Sequence, residues 1–185
     1  IVIQPQVETK NGRMFGGEVL LRWKNEGKEI SPSKFVPILE QTGMIAPVGK
    51  WILEETMRKG KEILKYQPDF RLSVNVSYLQ IMDQKFFPFL EDTMERFQIP
   101  AENLLIELTE THFDEMPEHL QRFIRQCKQI GIRFALDDFG SAYSGLQLLL
   151  QYPADLIKLD RTLMREITTS KEKMRFIMSV VYACH

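Results

Sequence analysis

The positions of apolar residues along the chain predict an alternation of strands and helices. Two strand-like runs, Ile1–Val7 and Met14–Trp23, are joined by a segment that contains Asn11 and Gly12. Asn-Gly is the strongest short hairpin signal because both residues tolerate a positive φ, so we expect these two strands to be antiparallel. Further strands are predicted at Leu72–Ser77, Leu104–Thr109, Arg133–Asp137 and Leu156–Leu159.

Helical spacing of apolar residues separates these strands. It predicts helices over 48–64, 86–97, 117–130, 146–150 and 174–184. Pro100 ends the second of these helices and Gly131 closes the third. Such alternation within a single domain implies a parallel sheet covered by helices, either an open doubly wound sheet or a barrel. No glycine-rich phosphate-binding motif follows the first strand, which disfavours the dinucleotide-binding version of the open sheet.

Polar or charged residues interrupt the apolar strands. They are Glu18, Asn75, Glu107, Asp137 and Lys158. Because side chains alternate across a strand, Glu18 and Arg22 are expected on the same face. Taken alone, each interruption fits a buried structural ion pair. Together, buried carboxylates need a compensating cation, and side chains near the carboxyl ends of barrel strands converge on the usual active-site mouth.

The chemistry of these side chains predicts a metal site. The first ligand set contains only oxygen donors, Glu18, Asn75, Glu107 and Asp137. Oxygen donors suit Mg²⁺ or Mn²⁺ rather than zinc. Asp138 provides a ligand for a second ion, and two ions about 3.5–4 Å apart serve phosphodiester hydrolysis. Lys158 adds positive charge for the attacking water or the phosphate.

Composition and charge narrow the class of protein. The 185 residues, 44% hydrophobic and 26% charged, fit one globular domain. The formal net charge of −1 gives no basic surface for a nucleic-acid polymer or an anionic membrane. No apolar stretch approaches the roughly 18 residues needed to span a bilayer. Cys127 and Cys184 fall on apolar helix faces, which indicates buried thiols and a reducing cytoplasm. His112, His119 and His185 form no convincing metal cluster.

The ordered motifs resemble the EAL domain of bacterial cyclic di-GMP phosphodiesterases. The similarity is carried by QP at Gln4, GEVLLRW from Gly17, NVS from Asn75, ELTE from Glu107, DDFG from Asp137 and IKLDR from Ile157. It implies an α/β fold, a TIM-like (β/α) barrel with an antiparallel first strand, truncated here after about six strands. Residues 1–185 are then an EAL-type phosphodiesterase domain that is incomplete at its C-terminus.

The resemblance also implies residue roles. The matching positions are metal ligands (Glu18, Asn75, Glu107, Asp137), a ligand of the second ion (Asp138), the catalytic lysine (Lys158), substrate contacts (Gln4, Arg22) and a glutamate that holds the loop 139–146 (Glu110). Glu18, Asp138 and Lys158 are thereby the catalytic residues. Asp160, on the same strand face as Lys158, is expected to assist the metals, to orient that lysine or to pair with Arg161.

The activity implied by the family is metal-dependent hydrolysis of cyclic di-GMP to the linear dinucleotide pGpG, with two Mg²⁺ or Mn²⁺ ions. The alternative is a catalytically inactive receptor that binds cyclic di-GMP and passes the signal to attached domains. A third hypothesis is an unrelated barrel that uses the same ions on another phosphoester. The family further implies a homodimer fused to sensory or GGDEF domains. We expect a cytoplasmic location, or the cytoplasmic part of a larger membrane-anchored protein, with no membrane contact from this segment.

Three departures from the family pattern affect these expectations. The signature reads Glu-Val-Leu rather than Glu-Ala-Leu, with Val19 on the face opposite Glu18. Ala142 and Gly145 stand where the family usually has glycine and serine, which bears on control of activity. The chain stops at His185, before a further glutamate ligand and a base-contacting glutamine. We therefore expect the natural protein to continue beyond His185, and a barrel two strands short to be unstable alone.

Overall fold

The structure is a computed structural model that describes residues 1–109, 118–140, 154–165 and 167–184. The chain divides into two compact units, Ile1–Glu107 with Pro117–Arg133, and Leu108–Met116 with Phe134–His185. The helix predicted over 146–150 lies outside the described residues. None of the helices in the described ranges is long and apolar enough to cross a bilayer.

The first unit begins with the predicted antiparallel hairpin. Strands β1 (Val2–Val7) and β2 (Met14–Leu20) pair antiparallel, with Gln4 opposite Glu18. Gly12 has φ +70°, a left-handed conformation that glycine adopts without steric cost. The hairpin prediction is confirmed.

A second, smaller hairpin follows β2 and corrects the predicted length of that strand. We expected one strand through Trp23, but β2 ends at Leu20, and β3 (Trp23–Asn25) pairs antiparallel with β4 (Lys28–Ile30). The two residues between β3 and β4, Glu26 and Gly27, have φ of 49° and 77°. A two-residue turn with positive φ at both positions matches the twist of a tight hairpin, so the chain folds back here.

Parallel strands continue the sheet of the first unit. Strand β5 (Arg71–Asn75) pairs parallel with β2, and β6 (Leu104–Thr109) pairs parallel with β5. The predicted strand over 72–77 is therefore shorter at its C-terminal end. Leu104 to Leu108 are all buried, so both faces of β6 are covered. A strand buried on both faces reads as a nearly continuous apolar run, which makes the Glu107 interruption conspicuous.

Helices surround these strands. In chain order they are α1 (Pro32–Gln41), α2 (Ile45–Leu64), α3 (Tyr78–Ile81), α4 (Phe86–Phe97) and α5 (Glu118–Gln129), with a 3-10 turn at Ala101–Asn103. Helices α2, α4 and α5 were predicted, whereas α1 and α3 were not. Helix α1 was missed because it contains Pro37, a residue that normally ends a helix, although Pro32 at its start is a helix-start signal. Gly131, with φ +96°, follows α5 as predicted.

The second unit contains the remaining predicted elements that fall on described residues. Strand β7 (Arg133–Phe139) pairs parallel with β8 (Leu156–Leu159), and helices α6 (Arg161–Met164) and α7 (Lys171–Cys184) follow. Phe134, Leu136, Ile177 and Val180, all residues of this unit, are buried. The strands and the final helix predicted here are confirmed, while the short α6 was not predicted.

Candidate functional site

In the first unit, the predicted ligands Glu18 and Asn75 lie side by side on β2 and β5. The parallel register places Glu18 opposite Ser73, so Asn75 is two residues further along the neighbouring strand. The Asn75 Nδ2 amide donates a hydrogen bond of 3.0 Å to Glu18 Oε1. Asn75 lies on the same face of the sheet as Ser73, because side chains two positions apart on a strand share a face. It therefore also shares that face with Glu18, the register partner of Ser73, as the hydrogen bond shows.

Glu107 lies on the other side of Asn75. The two residues are register partners on β5 and β6. The Glu107 side chain is buried, with 1% of its surface exposed, and one of its carboxylate oxygens lies within 4.8 Å of a carboxylate oxygen of Glu18. Three predicted ligands of the first unit therefore come together on three neighbouring strands.

This donor set fits a divalent cation. Two carboxylates of like charge lie close together, and one of them is wholly removed from solvent. Such a pair is costly unless positive charge compensates it. The available donors, carboxylate oxygens and one amide oxygen, are those that Mg²⁺ and Mn²⁺ prefer.

In the second unit, the aspartate pair occupies a β-bulge at the end of β7. Leu136 pairs with Ile157 and Phe139 pairs with Leu159, so β7 contains one residue more than β8 across this interval. Asp138 has φ +55°, and the Asp137 Oδ1 atom accepts a hydrogen bond of 2.9 Å from the Asp138 N–H. In a regular strand two adjacent side chains point to opposite faces, whereas a bulge redirects them. The bulge was not predicted.

Lys158 contacts Asp137 directly. Its Nζ donates to Asp137 Oδ2 at 3.1 Å, with 23% of the lysine side chain and 16% of the aspartate side chain exposed. Both carboxylate oxygens of Asp137 are thus held, one by the lysine and one by the neighbouring backbone. The structure brings together the predicted lysine and the predicted ligand.

Asp160 acts as a helix cap, a role that was not among our three expectations for it. Its Oδ1 accepts a hydrogen bond of 2.7 Å from the Thr162 N–H and another from the Thr162 hydroxyl, at the start of α6. These hydrogen bonds lower the pKa of the Asp160 carboxyl below its usual range. An aspartate directly before a helix is a cap signature, which would have identified this role from the sequence.

The predicted substrate contacts occupy the first unit. Gln4 is exposed on β1, opposite Glu18. Arg22 lies in the segment between β2 and β3 rather than on a strand, so it does not share a strand face with Glu18 as expected. Its Nε atom lies 3.2 Å from Glu29 Oε1 and its Nη1 donates to the Leu21 carbonyl at 3.1 Å. Sequence reasoning missed Glu29, since the β3–β4 hairpin was not predicted.

Several other sequence expectations concern residues beyond this cluster. Glu110, most of the loop 139–146, His112 and His185 lie outside the described residues, as does the side chain of Cys184. Cys127 is buried as predicted, and burial raises the pKa of its thiol. His119 is exposed.

The fold and the acidic side chains define a class of protein: an α/β domain that begins with an antiparallel strand pair and carries acidic side chains near the carboxyl ends of its parallel strands. The family model for the EAL domain matches residues 1–185. The chain belongs to the EAL domain family, which confirms the resemblance and the predicted fold class.

Relatives and solved structures agree with this assignment. The chain is 33% identical over 184 residues to cyclic di-GMP phosphodiesterase PdeR of Escherichia coli, covering 97% of this chain and 28% of the relative. It is 30% identical over 180 residues to the bifunctional diguanylate cyclase/cyclic di-GMP phosphodiesterase MucR of Pseudomonas aeruginosa, covering 96% of this chain and 26% of the relative. The solved structure of the PaMucR phosphodiesterase in complex with c-di-GMP superimposes with a TM-score of 0.89 at 30% identity, over 98% of this chain and 74% of that one. The chain spans about a quarter of the length of these two curated relatives.

Proposed function

We propose that this chain is the catalytic domain of a phosphodiesterase that hydrolyses cyclic di-GMP to the linear dinucleotide pGpG with the aid of Mg²⁺ or Mn²⁺. The observation that carries the proposal is the cluster of Glu18, Asn75 and Glu107 near the carboxyl ends of three neighbouring strands. It occurs in a chain of the EAL family, whose relatives include named cyclic di-GMP phosphodiesterases.

The proposed metal ligands divide into two groups. Glu18, Asn75, Glu107 and Asp137 would hold a first ion, and Asp138 would contribute to a second. When bound, such ions supply Lewis-acid chemistry to the phosphodiester. The carboxylates of this chain would bind and orient the ions, because their strands hold these side chains in place before any ion binds.

Lys158 supplies the fixed positive charge of the proposed site. Its ammonium group is held 3.1 Å from Asp137 Oδ2 and is mostly shielded from water. In the hydrolysis, the oxygen of a water molecule bonds to phosphorus, one phosphorus–oxygen ester bond breaks, and a proton passes to the leaving oxygen. We assign Lys158 to stabilising the negative charge that develops on the phosphate and the attacking water, because a prearranged charge costs no reorganisation.

Substrate binding is proposed for Arg22 and Gln4. The Arg22 guanidinium is only partly exposed and is held by Glu29, which leaves a planar group suited to a phosphate. Gln4 lies opposite Glu18 in the β1–β2 register, beside the first ligand group. Glu110 is proposed to hold the loop that follows the aspartate pair.

An assay of the full natural protein tests the proposal. With cyclic di-GMP and Mg²⁺ or Mn²⁺, we expect the linear dinucleotide as product. Glu18→Ala should abolish turnover and leave the circular dichroism spectrum of the protein unchanged. Nanomolar binding without turnover would instead select the inactive receptor, and a lack of measurable affinity would indicate another phosphoester as substrate.

We further propose, from the family, that the protein is a cytoplasmic homodimer in which this domain is joined to sensory or GGDEF domains. The short span of the chain relative to its curated relatives supports attachment to other domains. Light scattering on the full natural protein gives its oligomeric state directly.

A further inference from the structure

A hydrogen bond links helix α1 to the segment that follows β5. The Ser77 hydroxyl donates to Glu40 Oε1 at 2.6 Å, between residues that are 37 positions apart. Both residues are half-buried. This distance is typical of a hydrogen bond from a hydroxyl to an ionised carboxylate, which is stronger than a hydrogen bond between neutral groups.

The same segment is restrained at each of its residues. Asn75 donates to Glu18 through its side chain, the Val76 N–H donates to the Glu107 carbonyl at 3.1 Å, and Ser77 bonds to Glu40. The chain that leaves β5 is therefore attached to β2, to β6 and to α1 within three residues. Of these three attachments, the one to α1 depends on a side chain from outside the sheet.

A buried glutamine supports the Ser77 end of this segment. Gln80, with 3% of its surface exposed, accepts the Ser77 N–H on Oε1 at 3.1 Å. Gly49 of α2 makes room for it, because a Cβ at this glycine would lie 2.0 Å from Gln80 Nε2. The position of Ser77, and with it the direction in which its hydroxyl points to Glu40, is set by packing.

We propose that Glu40 is a positioning residue, which acts through Ser77 to hold the Asn75 amide where it can bind a metal ion. Asn75 is the last residue of β5 and is itself exposed, so its strand end depends on the next residues for order. Fixing the backbone two residues beyond it restricts the directions that the amide can take. The inference rests on the proposed function in one respect, the assignment of Asn75 as a metal ligand.

The test separates a positioning role from simple support of the fold. Four variants of the full natural protein are compared by calorimetric titration with Mn²⁺: Glu40→Ala, Ser77→Ala, the double variant and Glu40→Gln. Gln41→Ala is the matched control, since Gln41 is the exposed neighbour of Glu40 in α1. Amide hydrogen exchange of Val76 and Ser77 in the metal-free protein gives a second measurement that does not depend on activity.

We expect Glu40→Ala and Ser77→Ala each to weaken Mn²⁺ binding by about 10- to 100-fold, the usual effect of removing a partner that orients a ligand. The double variant should bind no more weakly than either single variant, because both changes break the same hydrogen bond. Glu40→Gln keeps an acceptor oxygen and should stay within about threefold of the unchanged protein. Exchange of the Val76 and Ser77 amides should accelerate in Glu40→Ala and not in Gln41→Ala.

Equal Mn²⁺ affinity of Glu40→Ala and Gln41→Ala overturns the inference, and so do additive losses in the double variant. If the unchanged protein binds Mn²⁺ but cleaves no cyclic di-GMP, only the proposed function is contradicted. The Mn²⁺ affinities and amide exchange rates of the variants still test the role of Glu40. An unchanged protein that takes up no Mn²⁺ overturns both proposals.

Discussion

The side-chain amide of Asn75 points its nitrogen at Glu18 Oε1, 3.0 Å away. A carboxylate that accepts this N–H is already partly compensated before any cation binds. The amide oxygen of Asn75 is the atom left to serve as a metal ligand. The side chain thus binds its neighbour on β2 through its nitrogen, and in the proposed site its oxygen would bind an ion.

Asn75→Asp should destabilise the metal-free protein through repulsion between carboxylates. The variant loses the N–H donor and adds a third carboxylate to the neighbouring pair Glu18 and Glu107, so we expect the metal-free protein to lose about 1 kcal/mol of unfolding free energy. Saturating Mn²⁺ should restore more stability in this variant than in the unchanged protein, because the added carboxylate attracts the cation. Urea unfolding in EDTA and in Mn²⁺ measures both effects, and equal stability in EDTA would contradict this repulsion.

Glu107→Gln should change the stability of the metal-free protein in the opposite direction from Asn75→Asp. It removes one of two like charges while keeping the size of a side chain that is 1% exposed. We expect the metal-free protein to be equally stable or more stable by about 1 kcal/mol, because the substitution removes the repulsion between two carboxylates whose oxygens lie within 4.8 Å of each other. The stabilisation by Mn²⁺ should shrink or disappear. A loss of several kcal/mol in EDTA would contradict this prediction, because it would show that the other contacts of the Glu107 carboxylate outweigh its repulsion with Glu18.

The sequence predicted six of the strands, β1, β2 and β5 to β8, because their apolar runs are long and bounded by clear turn residues. The same pattern also indicates a site residue, since Glu107 is a charge inside the apolar run from Leu104 to Leu108 and can be recognised without any structure. Family resemblance then supplied the proposed roles of residues such as Gln4, which no periodicity indicates.

Four features could not be predicted in this way, for different physical reasons. The β3–β4 hairpin contains three-residue strands that show no period, and α1 contains Pro37, a residue that normally ends a helix. The bulge at Asp138 depends on pairing with β8, which is a non-local property. The bond between Glu40 and Ser77 likewise joins segments that the chain brings together only after folding.

Lys158→Met should weaken both stability and turnover. The pair with Asp137 is mostly but not fully buried, so its loss should cost about 1–2 kcal/mol, less than the several kcal/mol typical of fully buried pairs. Adding Asp137→Asn should cost less than the sum of the two single changes, since no uncompensated charge remains. We expect kcat to fall by about 100-fold or more in Lys158→Met. Urea unfolding and initial rates test this, with Lys171→Met, at the exposed start of α7, as control.

Gly140→Ala should destabilise the second unit. Gly140 has φ +89°, and a Cβ there would lie 2.2 Å from Leu163 Cδ1. The left-handed backbone should cost about 1 kcal/mol and the overlap a further 1–2 kcal/mol. Gly12→Ala is the matched control, because Gly12 has φ +70° with nothing within 4 Å, so only the backbone cost of about 1 kcal/mol applies. Combining Gly140→Ala with Leu163→Ala should restore the stability lost through the overlap of the new Cβ with Leu163. Equal losses of unfolding free energy in Gly140→Ala and Gly12→Ala would show that this overlap costs nothing.

Asp160 should make stability depend on pH in the acid range. Hydrogen bonds from Thr162 lower the pKa of its carboxyl below the ordinary value of 3.8. A group with a lowered pKa stabilises the folded state above its unfolded pKa, and this stabilisation disappears as the pH falls through the folded pKa. Asp160→Asn keeps an acceptor for the Thr162 N–H but cannot ionise. The difference in unfolding free energy between the two proteins should therefore be constant above about pH 5 and shrink below the ordinary Asp pKa. Urea unfolding of both proteins in EDTA across this range cancels the titration of the other carboxylates, and a difference that persists unchanged to the lowest pH would show that the charge of Asp160 does not stabilise α6.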